Sequence, residues 1–304
     1  VEAQIKAYRT VKGMENCQFI RPAYAVQYDA YQPTGLTHSY ETKLVKGLFF
    51  GGQLNGTSGY EEAAVQGFMA GVNAVLSLDN KETFILGRNE SYIGVLTDDL
   101  VLKGITEPYR MFTSRSEYRL LTREDNAEER LIEYGYKLGL ISKTRYERHQ
   151  HDMQEINYEI DRLRNTLIKK TAKNEKYLAT LGVAISQSFK AEELLKRPQL
   201  NYDDIIQLTG GGLSGRKARQ VEIKIKYSGY IESMEESNKE DIESIVIPED
   251  FSYDNISGLR LEYSVKLKNI KPKTLGQALR IPGLTKTAIS VLAVEIYKHN
   301  KSKK

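Results

Sequence analysis

The chain has 304 residues and a formal net charge of +4, with 40% hydrophobic and 28% charged residues. This length accommodates two or three domains with buried cores, and no stretch approaches the roughly 18 uninterrupted apolar residues of a membrane helix. The single cysteine, Cys17, excludes an intrachain disulfide and a cysteine-based zinc site, and we assign the four histidines no metal role. The opening residues lack the apolar segment of a signal peptide, so we expect a cytoplasmic protein.

The first 50 residues favour extended structure. Segments 17–29 and 36–42 are predicted to be strands or extended, because Pro22 and Pro33 oppose helix there, and they lead to a strand at 46–50. The chain opens without an initiator methionine on what resembles a β-rich continuation. We therefore expect it to be part of a longer protein.

A glycine-rich loop follows this strand and leads into a helix predicted at about residues 58–78. Loop glycines allow the backbone to approach a flat ligand where a Cβ would collide, and the helix start directs N–H groups towards an anion. The helix carries small residues at three- and four-residue spacing, which predicts close packing against a sheet. The alternative is a glycine-rich turn before a tightly packed helix. The loop glycines are Gly51, Gly52, Gly56 and Gly59, and the small helical residues are Ala63, Ala64, Gly67, Gly71 and Ala74.

A basic, aromatic motif follows at residues 107–123, after a stretch at 80–104 that is predicted to be loop and short elements, with turns at Gly94 and Gly104. In such a mixture guanidinium groups grip phosphates while aromatic rings stack on unpaired bases. Arg115 and Arg119 are predicted to lie one helical turn apart. A surface helix whose arginines pair with nearby acids is the alternative.

From about residue 125 the pattern becomes helical. Between residues 142 and 170, apolar residues alternate steps of three and four, which predicts one helix of more than 25 residues packed along a single seam. We place the domain boundary here, with an α/β domain at residues 1–124 and an all-α domain at residues 125–304. Further helices are predicted at 190–197, 201–208, 215–232, 237–246, 252–266, 274–280 and 286–299.

Basic residues are concentrated in the second half of the chain. Residues 213–230 hold five basic residues and one acid, and residues 263–304 hold ten basic residues and one acid. The stretch at 231–250 holds eight acids and one lysine. The predicted helix at 215–232 therefore presents a basic stripe that suits either a polyanion or the acidic stretch.

Two short glycine-containing motifs in the second half of the chain are predicted to be loops between helices. The sequence TGGGLSG, with Gly210, Gly212 and Gly215, is the only GxGxxG match, but a short helix precedes it, so we expect a connection between helices. The sequence IPGLT, ending at Thr285, is typical of a helix-hairpin-helix that binds a backbone phosphate. A plain connection between helices is the alternative.

Several long stretches resemble the MnmG (GidA) family, whose members are FAD-dependent enzymes that modify the wobble uridine of certain transfer RNAs (tRNAs). They are GLFFGGQLNGTSGYEEAAVQG, YIGVLTDDL, EPYRMFTSRSEYRLLTREDNAEERL, KARQVEIKIKYSGYI and ALRIPGLTKTAISVL, and the resemblance covers nearly the whole chain. It implies the C-terminal half of such an enzyme. The expected fold is an α/β, partial FAD-binding segment, Rossmann-like and of the glutathione reductase type, followed by an all-α helical domain.

The resemblance also implies two sets of ligand contacts. The glycine-rich loop would close over FAD, where the neutral amides of Gln53 and Asn55 supply donors and acceptors for the flavin ring. The alternative is that these amides only stabilise the turn. The expected FAD-binding residues are Gly52, Gln53, Asn55, Gly56, Thr57, Gly59 and Tyr60, and the expected tRNA-binding residues are Arg110, Arg115, Arg119, Arg123, Arg216, Lys217 and Arg219.

The reaction implied by the resemblance adds an aminomethyl or carboxymethylaminomethyl group to C5 of the wobble uridine. A folate supplies the one-carbon unit, and FAD and NADH carry the redox steps, with the NADH site expected outside this chain. A homodimer is expected, with the C-terminal helices binding tRNA and an MnmE-type GTPase. The family's catalytic cysteines would precede residue 1, so the chain alone is expected to be inactive. The alternatives are a non-catalytic RNA-binding or scaffolding module and a different two-dinucleotide-binding oxidoreductase that acts on a small molecule.

Overall fold

The structure is a computed structural model that describes residues 1–25, 27–237 and 245–302. The chain divides into two compact units. Unit 1 comprises Val1–Thr83 and Gly104–Arg110, and unit 2 comprises Phe84–Lys103 and Met111–Lys304. These limits are not those of the two domains predicted from the sequence, and the boundary near residue 125 stays a prediction.

Helices dominate the described residues. Unit 1 contains α1 (Glu2–Tyr8) and α2 (Tyr60–Leu78). Unit 2 contains α3 (Tyr92–Lys103), α4 (Ala127–Lys137), α5 (Lys143–Asn165), β1 (Leu167–Ile168), α6 (Ala172–Thr180), β2 (Phe189–Lys190), α7 (Ala191–Leu195), α8 (Tyr202–Thr209), α9 (Gly215–Ser237), α10 (Leu261–Ile270), α11 (Leu275–Arg280) and α12 (Lys286–Ser302).

Unit 1 contains the helix predicted after the glycine-rich loop but not the strands predicted before it. Among its described residues, strand-like pairing is limited to isolated bridges such as Leu36 with Thr42 and Glu41 with Phe49. The strand predicted at 46–50 was therefore wrong, because a strand needs a partner along its length and none is formed among the described residues. The segments at 17–29 and 36–42, predicted as strands or extended, likewise form no ladder in their described residues, and turns at Tyr40 and Gly47, both with positive φ, interrupt the chain there.

Helix α3 occupies a stretch predicted to be loop. Nine consecutive residues of α3, from Gly94 to Leu102, are buried, and a helix that is apolar nearly all round belongs in a core. Gly94 lies inside this helix, where a Cβ would overlap the carbonyl oxygen of Gly87. The predicted turn at Gly94 was wrong, whereas Gly104 does follow the helix with a positive φ of 69°.

The first part of the helical region packs around α5. This helix begins after Ser142, whose side chain accepts a hydrogen bond from the backbone of Arg145, and it ends before Thr166. Its 23 residues are fewer than predicted, because the chain turns at Thr166 into β1, which pairs antiparallel with β2. The predicted seam is confirmed: Ile156 and Leu163 lie in a core shared with α7, α8 and α9.

The last part of the helical region has a separate core formed by α10, α11 and α12. Helices α7, α8, α9, α11 and α12 confirm their predictions within a few residues. Helix α10 begins at Leu261, later than predicted, after turns at 254–258. Most of the helix predicted at 237–246 lies outside the described residues. The glycine-rich TGGGLSG joins α8 to α9, and Thr285 caps α12 through a hydrogen bond from the backbone N–H of Ala288, 3.3 Å long.

We expect the core around α5 to weaken in acid. Glu159 is buried on α5, where burial favours its neutral form, but hydrogen bonds from Arg162 and Tyr202 hold the pKa of its carboxyl below the usual value of 4.5. A lowered carboxyl pKa stabilises the fold above pH 4.5, and this contribution is lost as the pH falls further. Glu159→Gln should cost about 1–3 kcal/mol at pH 7 and flatten the acid side of the profile, measured by urea unfolding between pH 7 and pH 3. An unchanged profile would contradict this.

Candidate functional site

The glycine-rich loop of unit 1 is a tight turn. Residues Gly52–Asn55 form a single turn of 3-10 helix, and Gly56 follows in the left-handed conformation, with φ 77° and ψ 16°. A Cβ at Gly56 would overlap the end of the Ile105 side chain, and a Cβ at Gly59 would overlap the carboxylate of Glu62. The positive φ therefore favours glycine at Gly56, whereas Gly59 is extended and a side chain there would displace only the Glu62 carboxylate.

Gln66 of α2 holds both ends of the loop. Its Oε1 accepts a hydrogen bond from Nδ2 of Asn55 at 2.8 Å, and its Nε2 donates to Oγ1 of Thr57 at 2.8 Å. Asn55 Nδ2 also donates to the carbonyl of Phe50, and the Thr57 hydroxyl donates to the carbonyl of Gly52. Asn55, Thr57 and Gln66 are all buried, so these side chains define the shape of the loop from inside.

One acceptor in this network has no donor among the described residues. Both partners of Asn55 Nδ2 are oxygen atoms, which fixes the orientation of the amide. Oδ1 of Asn55 is then buried without a hydrogen-bond partner. A buried acceptor of this kind fits an N–H or O–H donor from a ligand.

The predicted FAD-contacting residues divide into two groups. Gly52, Asn55, Thr57 and Gly59 are buried, whereas Gln53 and Tyr60 are exposed, Tyr60 to 93%, and Gly56 is intermediate. The structure thus brings these residues into one loop with two faces. The inner amide of Asn55 stabilises the turn, and the exposed amide of Gln53 remains available to a ligand.

The sequence did not identify Gln66. The small-residue stripe was predicted to pack against a sheet, but Gly67 and Gly71 are exposed in unit 1 and no sheet covers them there. The buried stripe of α2 contains Glu62, Gln66 and Asn73 instead. The spacing of these three polar residues, four and seven positions apart, places them on one face of α2, and this spacing was the available signal.

The start of the basic motif contacts the glycine-rich loop within unit 1. The backbone N–H of Tyr109 donates to the carbonyl of Gly56 at 2.8 Å, and the N–H of Ser58 donates back to Tyr109. The next residue, Arg110, is 51% exposed and places its Nε 3.3 Å from Oε1 of the buried Glu62. Arg110 is therefore held beside the loop.

The rest of the motif lies in unit 2 and is not an α-helix. Thr113–Arg115 form one 3-10 turn, which ends at Ser116 in an extended conformation. The prediction that Arg115 and Arg119 lie one helical turn apart was wrong, because the backbone of Ser116, with φ −92° and ψ 118°, is extended between them. Arg119 is exposed.

Arg123, at the end of the motif, is held by an acidic and an aromatic side chain. Its Nε lies 2.9 Å from Asp125, and its guanidinium lies over the ring of Tyr227 on α9, 5.5 Å from the ring centroid. Burial favours the neutral form of Asp125, but hydrogen bonds from Arg123 and Gln220 keep the pKa of its carboxyl below the usual value. Arg123 is therefore a contact between the motif and α9.

An ion cluster centred on the buried Arg88 lies beside the motif, and the sequence did not predict it; Asp98 and Asp99 are buried within it, whereas Glu117 is exposed. Arg88 is 9% exposed and contacts Asp99 at 2.8 Å, Asp98 at 3.3 Å and Glu117 at 2.7 Å. Arg280 of α11 contacts the same oxygen of Asp98 at 2.7 Å. Partial burial favours the neutral form of Glu117, but hydrogen bonding to Arg88 holds the pKa of the Glu117 carboxyl below its usual value.

The basic residues of α9 pair mainly with helices α4 and α5. Arg216 lies 3.0 Å from Glu128, and Lys217 contacts Asp152 and Glu155. The sequence suggested that these basic residues face either a polyanion or the acidic stretch at 231–250. In the structure their partners are acids of α4 and α5. Arg219 is exposed.

The two basic motifs meet in unit 2 at a groove of about 900 Å³. Its lining includes Arg123 from the first motif and Arg219 from the second, together with Tyr227, Asn201 and Ser214. Two arginines and an aromatic ring therefore line one opening, together with the acidic residues Asp125, Asp203 and Glu222. Arginines and aromatic rings are the groups that contact phosphates and bases in single-stranded RNA.

One group of potential metal ligands lies on α5. Ligand atoms of His151, Asp152 and Glu155 lie within 4.8 Å of one another. The ammonium group of Lys217 contacts both carboxylates. The Lys217 ammonium group therefore neutralises these carboxylates in place of a metal ion.

Three family models match parts of the chain, in order along it, with a gap between residues 82 and 143. The model described as "Glucose inhibited division protein A" matches residues 1–82. The models for the "tRNA modifying enzyme MnmG/GidA C-terminal helical domain" and "C-terminal helical bundle" match residues 143–235 and 235–304. The chain belongs to the MnmG/GidA family. The two C-terminal matches correspond to the two helical cores of unit 2.

Similar MnmG proteins cover the chain almost completely. The "tRNA uridine 5-carboxymethylaminomethyl modification enzyme MnmG" of Thermodesulfovibrio yellowstonii is 46% identical over 308 residues, which is 100% of this chain and 49% of that protein. The protein of the same name from Listeria welshimeri is 48% identical over 97% of this chain and 48% of its own length. The chain thus spans about half the length of the curated MnmG relatives it matches.

Solved structures of the family agree with the fold. One crystal form of Aquifex aeolicus GidA has a TM-score of 0.82 at 42% identity, over 97% of this chain and 47% of that one. A second crystal form has a TM-score of 0.79. Among the described residues, we find no helix with the length and apolar character needed to cross a bilayer.

Proposed function

We propose that the chain is the part of an FAD-dependent tRNA-modifying enzyme that closes over the flavin and holds the RNA substrate. The relatives named for uridine 5-carboxymethylaminomethyl modification support this reaction. The observation that carries the flavin assignment is the buried Oδ1 of Asn55, an acceptor without a donor in a loop fixed by Gln66.

The loop residues fit a flavin in three respects. Gly56 adopts the left-handed conformation that makes the turn tight enough for the loop backbone to approach a flat ring. Asn55 Oδ1 would accept a hydrogen bond from the cofactor, and the exposed amide of Gln53 would donate to it and accept from it. Both groups are neutral, so they orient the cofactor without adding charge, while bound FAD supplies the hydride or electron transfer.

The arginines fit the RNA substrate. Arg119 and Arg219 are exposed, and Arg219 shares a groove with Tyr227 and Arg123. Guanidinium groups there would contact backbone phosphates, and the ring would stack on an unpaired base of the anticodon loop. Arg110 lies next to the flavin loop, where it would hold RNA close to the cofactor. Arg115 completes this set, while Arg216 and Lys217 would contact RNA only by exchanging their present partners.

The remaining features of the proposal come from the family. They are NADH as reductant, an MnmE-type GTPase and tRNA as partners of the C-terminal helices, a homodimer and a cytoplasmic location. The chain would be inactive alone, because the catalytic cysteines would come from residues before its start. The FAD-binding segment would end near residue 124.

Gln53→Ala tests the flavin contact. Loss of one hydrogen-bonding group should weaken FAD binding about three- to tenfold, measured by fluorescence titration of the protein stripped of flavin. Gln187→Ala is the matched control, since Gln187 is also exposed but lies in unit 2. Equal FAD affinity in both variants would contradict the flavin assignment and favour an RNA-binding module without a cofactor.

Arg119→Ala tests the RNA contact. Removal of one phosphate contact should weaken binding of an anticodon stem-loop and reduce the slope of log affinity against log salt by about 1. Arg148→Ala, which removes an exposed arginine of α5, should leave both quantities unchanged. If wild-type protein and both variants bind RNA equally at every salt concentration, the motif has no role in RNA binding.

A further inference from the structure

The ion cluster centred on the buried Arg88 has no part in the contacts proposed so far. We refer to Arg88, Asp98, Asp99, Glu117 and Arg280 as the Arg88 cluster. All five residues lie in unit 2. They come from three separate places in the chain: α3 with the residues before it, the basic motif, and the end of α11.

Glu117 connects the basic motif to this cluster. Nε and Nη2 of Arg88 donate to the two carboxylate oxygens of Glu117 at 2.7 and 2.8 Å, a bidentate pair. Nη2 of Arg88 also lies 3.4 Å from the carbonyl oxygen of Arg115. Arg88 therefore contacts the chain at both Arg115 and Glu117. Ser116, which lies between them, is buried.

Asp98 connects the cluster to the C-terminal helices. Its Oδ2 accepts from Nη1 of Arg88 at 3.3 Å and from Nε of Arg280 at 2.7 Å. Arg280 is the last residue of α11, whose neighbours Leu275 and Ala278 lie in the C-terminal core. A shift of α11 would therefore change the contacts of Asp98, and through them the position of Arg88.

Charge alone does not explain such a cluster. Replacement of buried ion pairs by apolar side chains is often neutral or stabilising, so a buried network is weak evidence for stability and is retained in some proteins because it specifies one arrangement. Here the arrangement that it specifies is the path of the segment carrying Arg115 and Arg119. The bidentate geometry of Arg88 with Glu117 allows only a narrow range of positions for that segment.

We propose that the Arg88 cluster is a positioning device for RNA binding, in which Arg88 and Glu117 hold residues 113–119 and Asp98 with Arg280 links this segment to the C-terminal helices. The proposal rests on the proposed RNA contact of Arg115 and Arg119. It assigns no RNA contact to the cluster itself. Its members act by fixing the place of the arginines that bind.

For Glu117→Gln, a purely electrostatic role and a positioning role predict opposite changes in RNA affinity. Removal of a negative charge beside a polyanion site would strengthen RNA binding if only electrostatic attraction acted. If Glu117 positions the arginines, loss of its ionic pair with Arg88 weakens binding of an anticodon stem-loop, by about 3- to 30-fold. Glu124→Gln, which removes an exposed acid next to the same motif, is the control and should leave binding unchanged or tighter.

Arg280→Lys tests the link to the C-terminal helices. Lysine keeps the positive charge but loses the guanidinium geometry at Asp98, so RNA binding should again weaken although the net charge is constant. In combination with Glu117→Gln, the two losses should be less than additive, because both variants release the same segment. Strict additivity would refute the link.

The outcomes separate this inference from the proposed function. Absence of RNA binding by the wild-type protein would overturn the proposed function and this inference together. Wild-type binding with unchanged or tighter binding by Glu117→Gln would overturn the inference alone. Near-ultraviolet circular dichroism of each variant establishes that it is folded, and if Glu117→Gln does not fold, the affinity of Arg280→Lys decides.

Discussion

Arg88→Met is expected to lower the free energy of unfolding by about 1–3 kcal/mol, since it removes hydrogen-bond donors from the buried carboxylates of Asp98 and Asp99, which keep Arg280 and Lys103 as cationic partners. Asp98 and Asp99 are both buried and both contact Arg88. Methionine fills a similar volume, so the loss reflects charge and hydrogen bonding more than packing. Urea denaturation at pH 7 measures it.

Arg119→Met is the control for this prediction. Arg119 is exposed, and substitutions at such positions usually change stability by less than about 0.5 kcal/mol. The two variants should therefore show opposite phenotypes: Arg88→Met is unstable, whereas Arg119→Met is stable but binds RNA weakly. A stability of Arg88→Met within about 1 kcal/mol of wild type would mean that the cluster is solvated.

Gly56→Val is expected to destabilise the protein by about 2–4 kcal/mol and to abolish flavin retention. The φ of 77° at Gly56 is in the left-handed region, which a β-branched residue adopts only with strain. The added side chain would also overlap Ile105. Thermal unfolding and the visible absorbance of the purified protein measure the two effects.

Gly229→Ala is the matched control for Gly56→Val. Gly229 lies on α9 with open space around the position of a Cβ. Alanine there should raise stability by about 0.5–1 kcal/mol, because it restricts the unfolded chain and favours helix. If Gly56→Val retains its flavin, the loop does not approach the cofactor.

The sequence predicted helices where local signals suffice. The seam of α5 follows from its three- and four-residue spacing, and α8 and α12 begin at the capping residues Asn201 and Thr285. These signals lie within a few residues of one another. No tertiary contact is needed to recognise them.

The sequence failed where partners are distant. The strands predicted before residue 50 have the composition of a sheet but form only isolated bridges among the described residues of unit 1. Helix α3 was interpreted as loop, because it lacks the polar face that makes an amphipathic helix recognisable from sequence. Its two adjacent acids, Asp98 and Asp99, were the missed signal, since carboxylates in an apolar run require a buried cation.

The ligand contacts of the site stay predictions that rest on the resemblance. The resemblance identified the loop around Gln53 and the arginine motif, and the glycines at 56 and 59 follow from their spacing. The role of Gln66 was not predicted, because its hydrogen bonds to Asn55 and Thr57 appear only when the loop folds back onto α2. Arg88 was missed for a similar reason, as its partners lie up to 29 residues away.

A crystal structure of the protein with bound FAD tests the central claim most directly. The account predicts that a donor atom of FAD lies within about 3.2 Å of Asn55 Oδ1, with the amide of Gln53 at the edge of the ring. A flavin bound away from the loop at residues 52–60, with Asn55 Oδ1 satisfied by the protein's own groups, would contradict it.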